Sequence, residues 1–149
     1  MRIISGKLKG KSISFLKSST TRPLKDSVKE SIFNIITHSK LLDLKIEKSS
    51  ILDLYSGFGS FGLECISRGA EKITFVEKNN NIAKILKKNL LSLNISKDIT
   101  IVVDSAANFL KRIFSNKYEI IFLDPPFTDN SYIEDLKLIK QKKITKKNM

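Results

Sequence analysis

At 149 residues with 41% hydrophobic content, the chain has the size and apolar fraction of one globular domain, which excludes a disordered protein. Its charge is the outlier: 27 Lys+Arg oppose 15 Asp+Glu, a net +12 that points to a polyanionic partner, nucleic acid first. A single cysteine, Cys65, excludes a disulfide framework or a cysteine-rich metal site, and no apolar run approaches the ~18 residues of a membrane span. The chain is therefore expected to be cytoplasmic, with no membrane partner, no metal and no signal peptide at Met1–Gly6. A drift toward lysine codons in an AT-rich genome is a second source for the charge, since lysine greatly outnumbers arginine.

Taken in order, residues 2–25 carry Arg2, Lys7, Lys9, Lys11, Lys17, Arg22 and Lys25 and no acid. Residues 3–13 read as a short hairpin with glycines at its turns, and Arg22-Pro23 as a further turn. Arg2, Lys7, Lys9, Lys11 and Arg22 are expected to grip a phosphate backbone, against the plainer reading of a solvated edge ribbon. Ser27 and Glu30 have the spacing of a capping box, and Val28, Ile32, Ile35 and Ile36 continue as an apolar helical face. His38, without a nearby acidic or nucleophilic partner, is given no role.

Strands are then expected at 51–55, 72–76, 99–103 and 119–123, separated by helices at 63–68, 81–94 and 106–114. Gly69 ends the first of these helices, and Cys65 within it reads as a small buried thiol. A last helix begins near Tyr132 and runs into the lysine-rich stretch 140–147, read as a solvated helix end. This alternation predicts an α/β fold: a Rossmann-like parallel sheet with helices on both faces, in a single domain over 1–149. Residues 1–25 form the basic N-terminal hairpin extension and 26–149 the core.

Glu77, Asp104 and Asp124 close successive strands, and Asp53 lies inside the first. In a parallel sheet those ends share one edge, so four carboxylates converge on a common crevice. The loop Gly57-Phe58-Gly59-Ser60-Phe61-Gly62 matches G-x-G-x-x-G, with Glu77 placed to bind a ribose, as in dinucleotide sites. Asp53, however, would repel a pyrophosphate and suits a ligand carrying an ammonium and a sulfonium. S-adenosylmethionine meets both conditions, with Glu77 on the ribose, Asp53 toward the methionine end and Asp104 toward the adenine. Tyr55, Ser56, Gly57 and Gly59 of the loop, with Lys78 and Ser105 beside the acids, complete the expected cofactor-binding set.

Asp124-Pro125-Pro126-Phe127 stops the last strand abruptly, because proline lacks the N–H that a ladder needs. The Asp124 carboxylate and the Pro125 carbonyl can accept the two hydrogens of an exocyclic amine while Phe127 stacks on its base. A strand that merely ends in a Pro-Pro turn, with Asp124 capping it, is the plainer alternative.

Asp53–Glu64 resembles motif I of class I methyltransferases, and Asp124-Pro125-Pro126-Phe127 resembles their amino-methylating motif IV. Arg2-Ile3-Ile4-Ser5-Gly6-Lys7, Gly10-Lys11, Arg22-Pro23, Asp26, Val28-Lys29-Glu30 and Phe33-Asn34 are similar to the bacterial 16S ribosomal RNA guanine-N2 methyltransferase family of the RsmD type. The resemblance implies S-adenosylmethionine-dependent methylation of a guanine N2 amine in 16S ribosomal RNA, presented on small-subunit particles. It implies catalytic roles for Asp124, Pro125, Pro126 and Phe127, and a monomer is expected. Family members continue with three more strands, so an open edge is expected on the strand before Asp124. Three alternatives stand beside this: an adenine- or glutamine-amino methyltransferase, an NAD-dependent oxidoreductase, and a noncatalytic RNA-binding protein.

Overall fold

The computed structural model describes residues 1–17, 23–95, 98–113 and 115–146. Strand β1 (Ser50–Leu54) is buried along its whole length because it pairs on both sides. β2 (Lys72–Val76) and β4 (Ile120–Leu123) flank it, β3 (Asp98–Val102) lies beyond β2, and all pairs are parallel in the order β3-β2-β1-β4. Register aligns Leu123, Leu54, Val76 and Val102 in one row across the sheet. The residues that follow that row therefore emerge together, at the point where the strand order reverses on either side of β1.

Alternation along β1 sends Ile51 to one apolar cluster and Leu52 and Leu54 to the other. The first cluster takes residues of α1 (Asp26–His38), α2 (Ser60–Ser67) and α3 (Asn80–Ser92), together with Ile3 and Ile13. The second takes those of α4 (Ala106–Arg112) and α5 (Tyr132–Lys142), and so both faces are covered by helices, as expected. Phe61 links elements of the first cluster, stacking on Phe33 at 5.2 Å and on Phe122 at 3.9 Å between ring centroids.

The N-terminal segment is ribbon-like, with Arg2 bridged to Ser12 and the Ile3 and Ile13 amides donating to the Lys11 and Met1 carbonyls at 3.0 and 2.9 Å. It is part of the core rather than a free arm. Its Ile4 and Ser5 amides each donate to the buried Glu64 carboxylate at 3.0 Å. The same carboxylate faces the fully buried Lys29 ammonium at 3.6 Å and Arg68 Nε at 3.2 Å, and the Arg68 guanidinium lies 4.3 Å over the Phe33 ring. Lys29 also donates to the Arg2 carbonyl at 2.7 Å.

That network corrects the expectation for α1. The helix starts at Asp26 with Lys25 as its N-cap, no side chain caps it, and Ser27 lies inside the first turn. Lys29, Phe33 and Ile36 form the buried face, whereas Val28 and Ile35 are exposed, because the helix turns to bring Lys29 onto Glu64. β3 also begins and ends one residue earlier than expected. The Glu77 amide donates to Val102 and the Asp104 amide to Glu77, leaving Val103 outside the strand.

At the other end, α5 stops at Lys142 and Lys143 takes a left-handed φ of 52°. Thr145 then pairs parallel to Tyr118, Ile144 is fully buried, and Lys146 meets Glu119 at 3.0 Å. The lysine-rich stretch is thus a largely exposed helix end as far as Lys143, as expected, but residues 144–146 pack beside the start of β4. Among the described residues β4 itself has no strand on its outer side, the open edge that was expected.

Asn89 of α3 ties two loops together. Its Oδ1 accepts the Ser14 amide at 2.8 Å, and its Nδ2 donates to the Ser14 and Phe58 carbonyls at 3.0 and 3.3 Å. Asn89→Ala strands these partners in a buried setting and is expected to lower stability by about 1–3 kcal/mol. Urea denaturation of the two proteins reads the difference; an unchanged midpoint would contradict it.

Candidate active site

A cleft of about 1060 Å³ opens along the carboxyl edge of the sheet. Asp53, Tyr55, Ser56 and Gly57 line it from β1 and its loop, Glu77 and Lys78 from the end of β2, and Asp104 and Ser105 from beyond β3. Asp124, Pro125, Pro126 and Phe127 complete the wall after β4. The four carboxylates therefore share one cavity, as their strand-end positions imply.

Asp53 lies at the bottom, 1% exposed, with its neighbours across the sheet being Phe75 and Phe122. Burial pushes its pKa up to about 8, despite the Gly62 amide that donates to Oδ2 at 3.0 Å. Gly62 is required for that approach, since a Cβ there would sit 2.3 Å from the Phe75 ring and 3.1 Å from Asp53 Oδ2. The carboxyl is thus neutral near pH 7, unlike the ionised group the sequence suggests.

Glu77 braces the glycine loop. One of its oxygens accepts the Gly57 amide and the other the Asn79 amide, each at 2.9 Å. Each oxygen keeps a lone pair free for a hydroxyl. Ser56 Oγ is buried with no partner among the described residues, a polar atom that a ligand in the cleft would satisfy. Gly59 does not line the cavity; it is the N-cap of α2 with a left-handed φ of 91°, and a Cβ there would meet Leu86 at 2.4 Å. Asp104 accepts from Asn108 Nδ2 at 3.1 Å and the Ser105 amide at 2.8 Å, and pairs with Arg112 at 3.0 Å. Those hydrogen bonds, the Asn108 one foremost, hold its pKa below the usual carboxylate range. Ser105 caps α4 by accepting the Asn108 amide.

The corner after β4 is held differently. The Pro126 carbonyl accepts the Asp129 amide at 2.9 Å. Neither the Asp124 carboxylate nor the Pro125 carbonyl receives a donor among the described residues, and Phe127 is fully exposed. The Asp124 residue is exposed overall, yet its carboxyl is shielded enough that burial raises its pKa. The corner thus presents two acceptors and an aromatic face that have no hydrogen-bond or ring partner among the described residues.

Sequence reasoning missed Ser131, which lines the cleft from the start of α5, and Met1, Pro23 and Leu24, which line it from the N-terminal side. Loop residues of this kind carry no periodic signal. Lys7, Lys9 and Lys11 are exposed but stand away from the cleft wall. Arg2 is paired with Asp26 at 3.1 Å, and Arg22 lies outside the described residues. Among the described residues no group of acids, histidine and cysteine has the arrangement of a metal site, and no helix is long and apolar enough to cross a membrane.

The model of a family described as conserved hypothetical protein 95 matches residues 1–149. A Haemophilus influenzae protein named ribosomal RNA small subunit methyltransferase D is 36% identical over 150 residues, covering 99% of this chain and 75% of that protein. A Buchnera aphidicola (Acyrthosiphon pisum) protein of the same name is 36% identical over 146 residues, covering 98% and 73%. The solved Escherichia coli structure of yhhF, which carries methyltransferase in its name, superposes with a TM-score of 0.81 at 30% identity, covering 95% of this chain and 73% of that one.

Proposed function

Because the chain belongs to the RsmD-type methyltransferase family, we propose that it methylates the exocyclic N2 amine of a guanine in 16S ribosomal RNA. The observation that carries the chemistry is the pair of acceptors, Asp124 and the Pro125 carbonyl, that receive no donor among the described residues and precede the exposed ring of Phe127. The names of the relatives support ribosomal RNA of the small subunit as the substrate.

The cleft suits S-adenosylmethionine. Glu77 has acceptors for two ribose hydroxyls, Ser56 Oγ lacks a partner among the described residues, and Asp53 waits at the floor to ionise beside a cationic group. When bound, this cofactor supplies a methyl carbon made electrophilic by its sulfonium. Asp124 and the Pro125 carbonyl accept the amine hydrogens, which turns the nitrogen lone pair out of conjugation with the ring. Phe127 stacks on a base taken out of its helix, as enzymes acting on bases require. The raised pKa of Asp124 makes it a better acceptor for the proton that the amine sheds. Alignment of this kind is worth ~7–11 kcal/mol of barrier when the reacting atoms are held in place.

Guanine is favoured over adenine by the acceptor-only character of a carboxylate. The guanine N2 amine lies beside the N1–H, two donors in a row, whereas the adenine amine lies beside an acceptor that needs an amide donor such as Asn. The exposed Lys7, Lys9 and Lys11 supply phosphate contacts, so binding weakens with salt.

Calorimetric titration with S-adenosylmethionine, and separately with NADH, tests the cofactor. Saturable binding of the first alone is expected; binding of NADH alone would overturn the reading. The Asp53 carboxyl adds a pH signature. It is protonated in the free protein below about 8 and ionises beside a cation, so binding releases a proton. Affinity is then expected to rise with pH up to about 8 and level off above it, with heats that depend on the buffer at pH 7. In Asp53→Asn that buffer dependence is expected to vanish.

A further inference from the structure

Tyr55 follows β1 in a left-handed conformation, φ 56°, that a bulky residue adopts only where its surroundings hold it there. Its hydroxyl reaches across the cleft to α5, donating to Asp135 Oδ2 and standing 3.1 Å from Ser131 Oγ. Asp135 is fully buried, and its other oxygen has no partner among the described residues, so the Tyr55 hydroxyl is the side-chain donor on which that carboxylate depends. From there the bonds run on without a break. The Asp135 amide donates to the Ser131 carbonyl at 3.1 Å, the Ser131 amide to Asp129 Oδ1 at 2.8 Å, and the Asp129 amide to the Pro126 carbonyl at 2.9 Å. The far end of this chain is the corner that carries Asp124 and Phe127.

We propose that Tyr55 is a positioning residue that clamps the turn 125–131 through Asp135 and Ser131, fixing the amine-binding corner relative to the glycine loop. The loop next to Glu77 and the corner next to Asp124 follow strands that are neighbours in the sheet but distant in sequence, and this bond ties the first to the helix that follows the second. The burial that raises the Tyr55 phenol to about 12 keeps it a donor throughout the working pH range. A corner misplaced by an ångström loses reaction rate without losing cofactor, because the cofactor-facing acids sit on other loops.

The kinetic half of this inference rests on the methyl-transfer reading; the structural half does not. Hydrogen exchange of the unliganded chain is compared for wild type, Tyr55→Phe and Asp135→Asn. The Asp129 and Ser131 amides are expected to exchange about tenfold faster in Tyr55→Phe and at about the wild-type rate in Asp135→Asn, whose amide oxygen still accepts the phenol. At saturating cofactor, single-turnover methyl transfer is expected to slow about tenfold in Tyr55→Phe while the Kd for S-adenosylmethionine moves less than about threefold. Should Tyr55→Phe fail to fold, Tyr55→Phe with Asp135→Leu removes the stranded carboxylate and still lacks the clamp. Unchanged exchange in the variants that lack the Tyr55 hydroxyl overturns the clamp. A Kd that worsens as much as the rate assigns Tyr55 to the cofactor instead. A wild type that transfers no methyl sinks the reaction, while the exchange data still decide the clamp.

Discussion

Asp124→Ala is expected to lower methyl transfer by at least ~10²–10⁴-fold while RNA affinity stays within a few-fold. The carboxylate is the charged member of the two-acceptor corner, and among the described residues nothing in the protein bonds to it. Removing it leaves the fold nearly untouched, since it sits beyond the last ladder pair of β4 and outside both apolar clusters. The loss therefore falls on the rate. Asp124→Asn keeps one acceptor but adds a donor where guanine also offers donors, so its rate is expected to lie between the two. Single-turnover assays beside filter binding measure both quantities. Full turnover in the alanine variant would remove Asp124 from the mechanism.

Glu64→Ala is expected to cost about 3–5 kcal/mol of stability, more than an ordinary core truncation. Glu64 is fully buried and receives four partners: the Ile4 and Ser5 amides, Lys29 and Arg68. Its removal leaves the Lys29 ammonium, also fully buried, without its contacting carboxylate. Burial already lowers the Lys29 pKa, and without Glu64 that shift deepens, so the side chain sheds its proton or the segment opens. Lys29→Met combined with Glu64→Leu removes both buried charges together and is expected to recover the part of the loss due to the unpaired ammonium, while the Ile4 and Ser5 amides still lack their acceptor. Guanidinium denaturation of the three proteins separates the cases; equal stability of Glu64→Ala and wild type would contradict the account.

These two predictions differ in how visible their residues are from the chain alone. Asp124 is plain, because a buried apolar run that ends in Asp-Pro-Pro-Phe reads as a strand end whatever surrounds it. Glu77 and Asp104 follow from the same logic, and the register that sets Leu123, Leu54, Val76 and Val102 in one row makes their convergence exact in outcome. Lys29 is the opposite case. A lysine beside Val28 and Glu30 reads as surface, and its partner is thirty-five positions away, so no local period reveals the pair. The same pairing rotates α1 and dissolves the expected capping box at Ser27. The protonation of Asp53 is also hidden, because type and spacing identify a carboxyl group but not the Phe75 and Phe122 strands that dry it. Tyr55 reads as part of a cofactor loop, and only its bond to Asp135 ties it to the opposite corner.

The most direct test of the central claim is methyl transfer from labelled S-adenosylmethionine to small ribosomal subunits that lack the modification. The 16S RNA is then digested to nucleosides. Label is expected in N2-methylguanosine alone, at no more than one methyl per 16S RNA, and none when Asp124→Ala replaces the wild type. Label in an N6-methyladenosine or in protein, or no label from a chain that binds the cofactor, would contradict it.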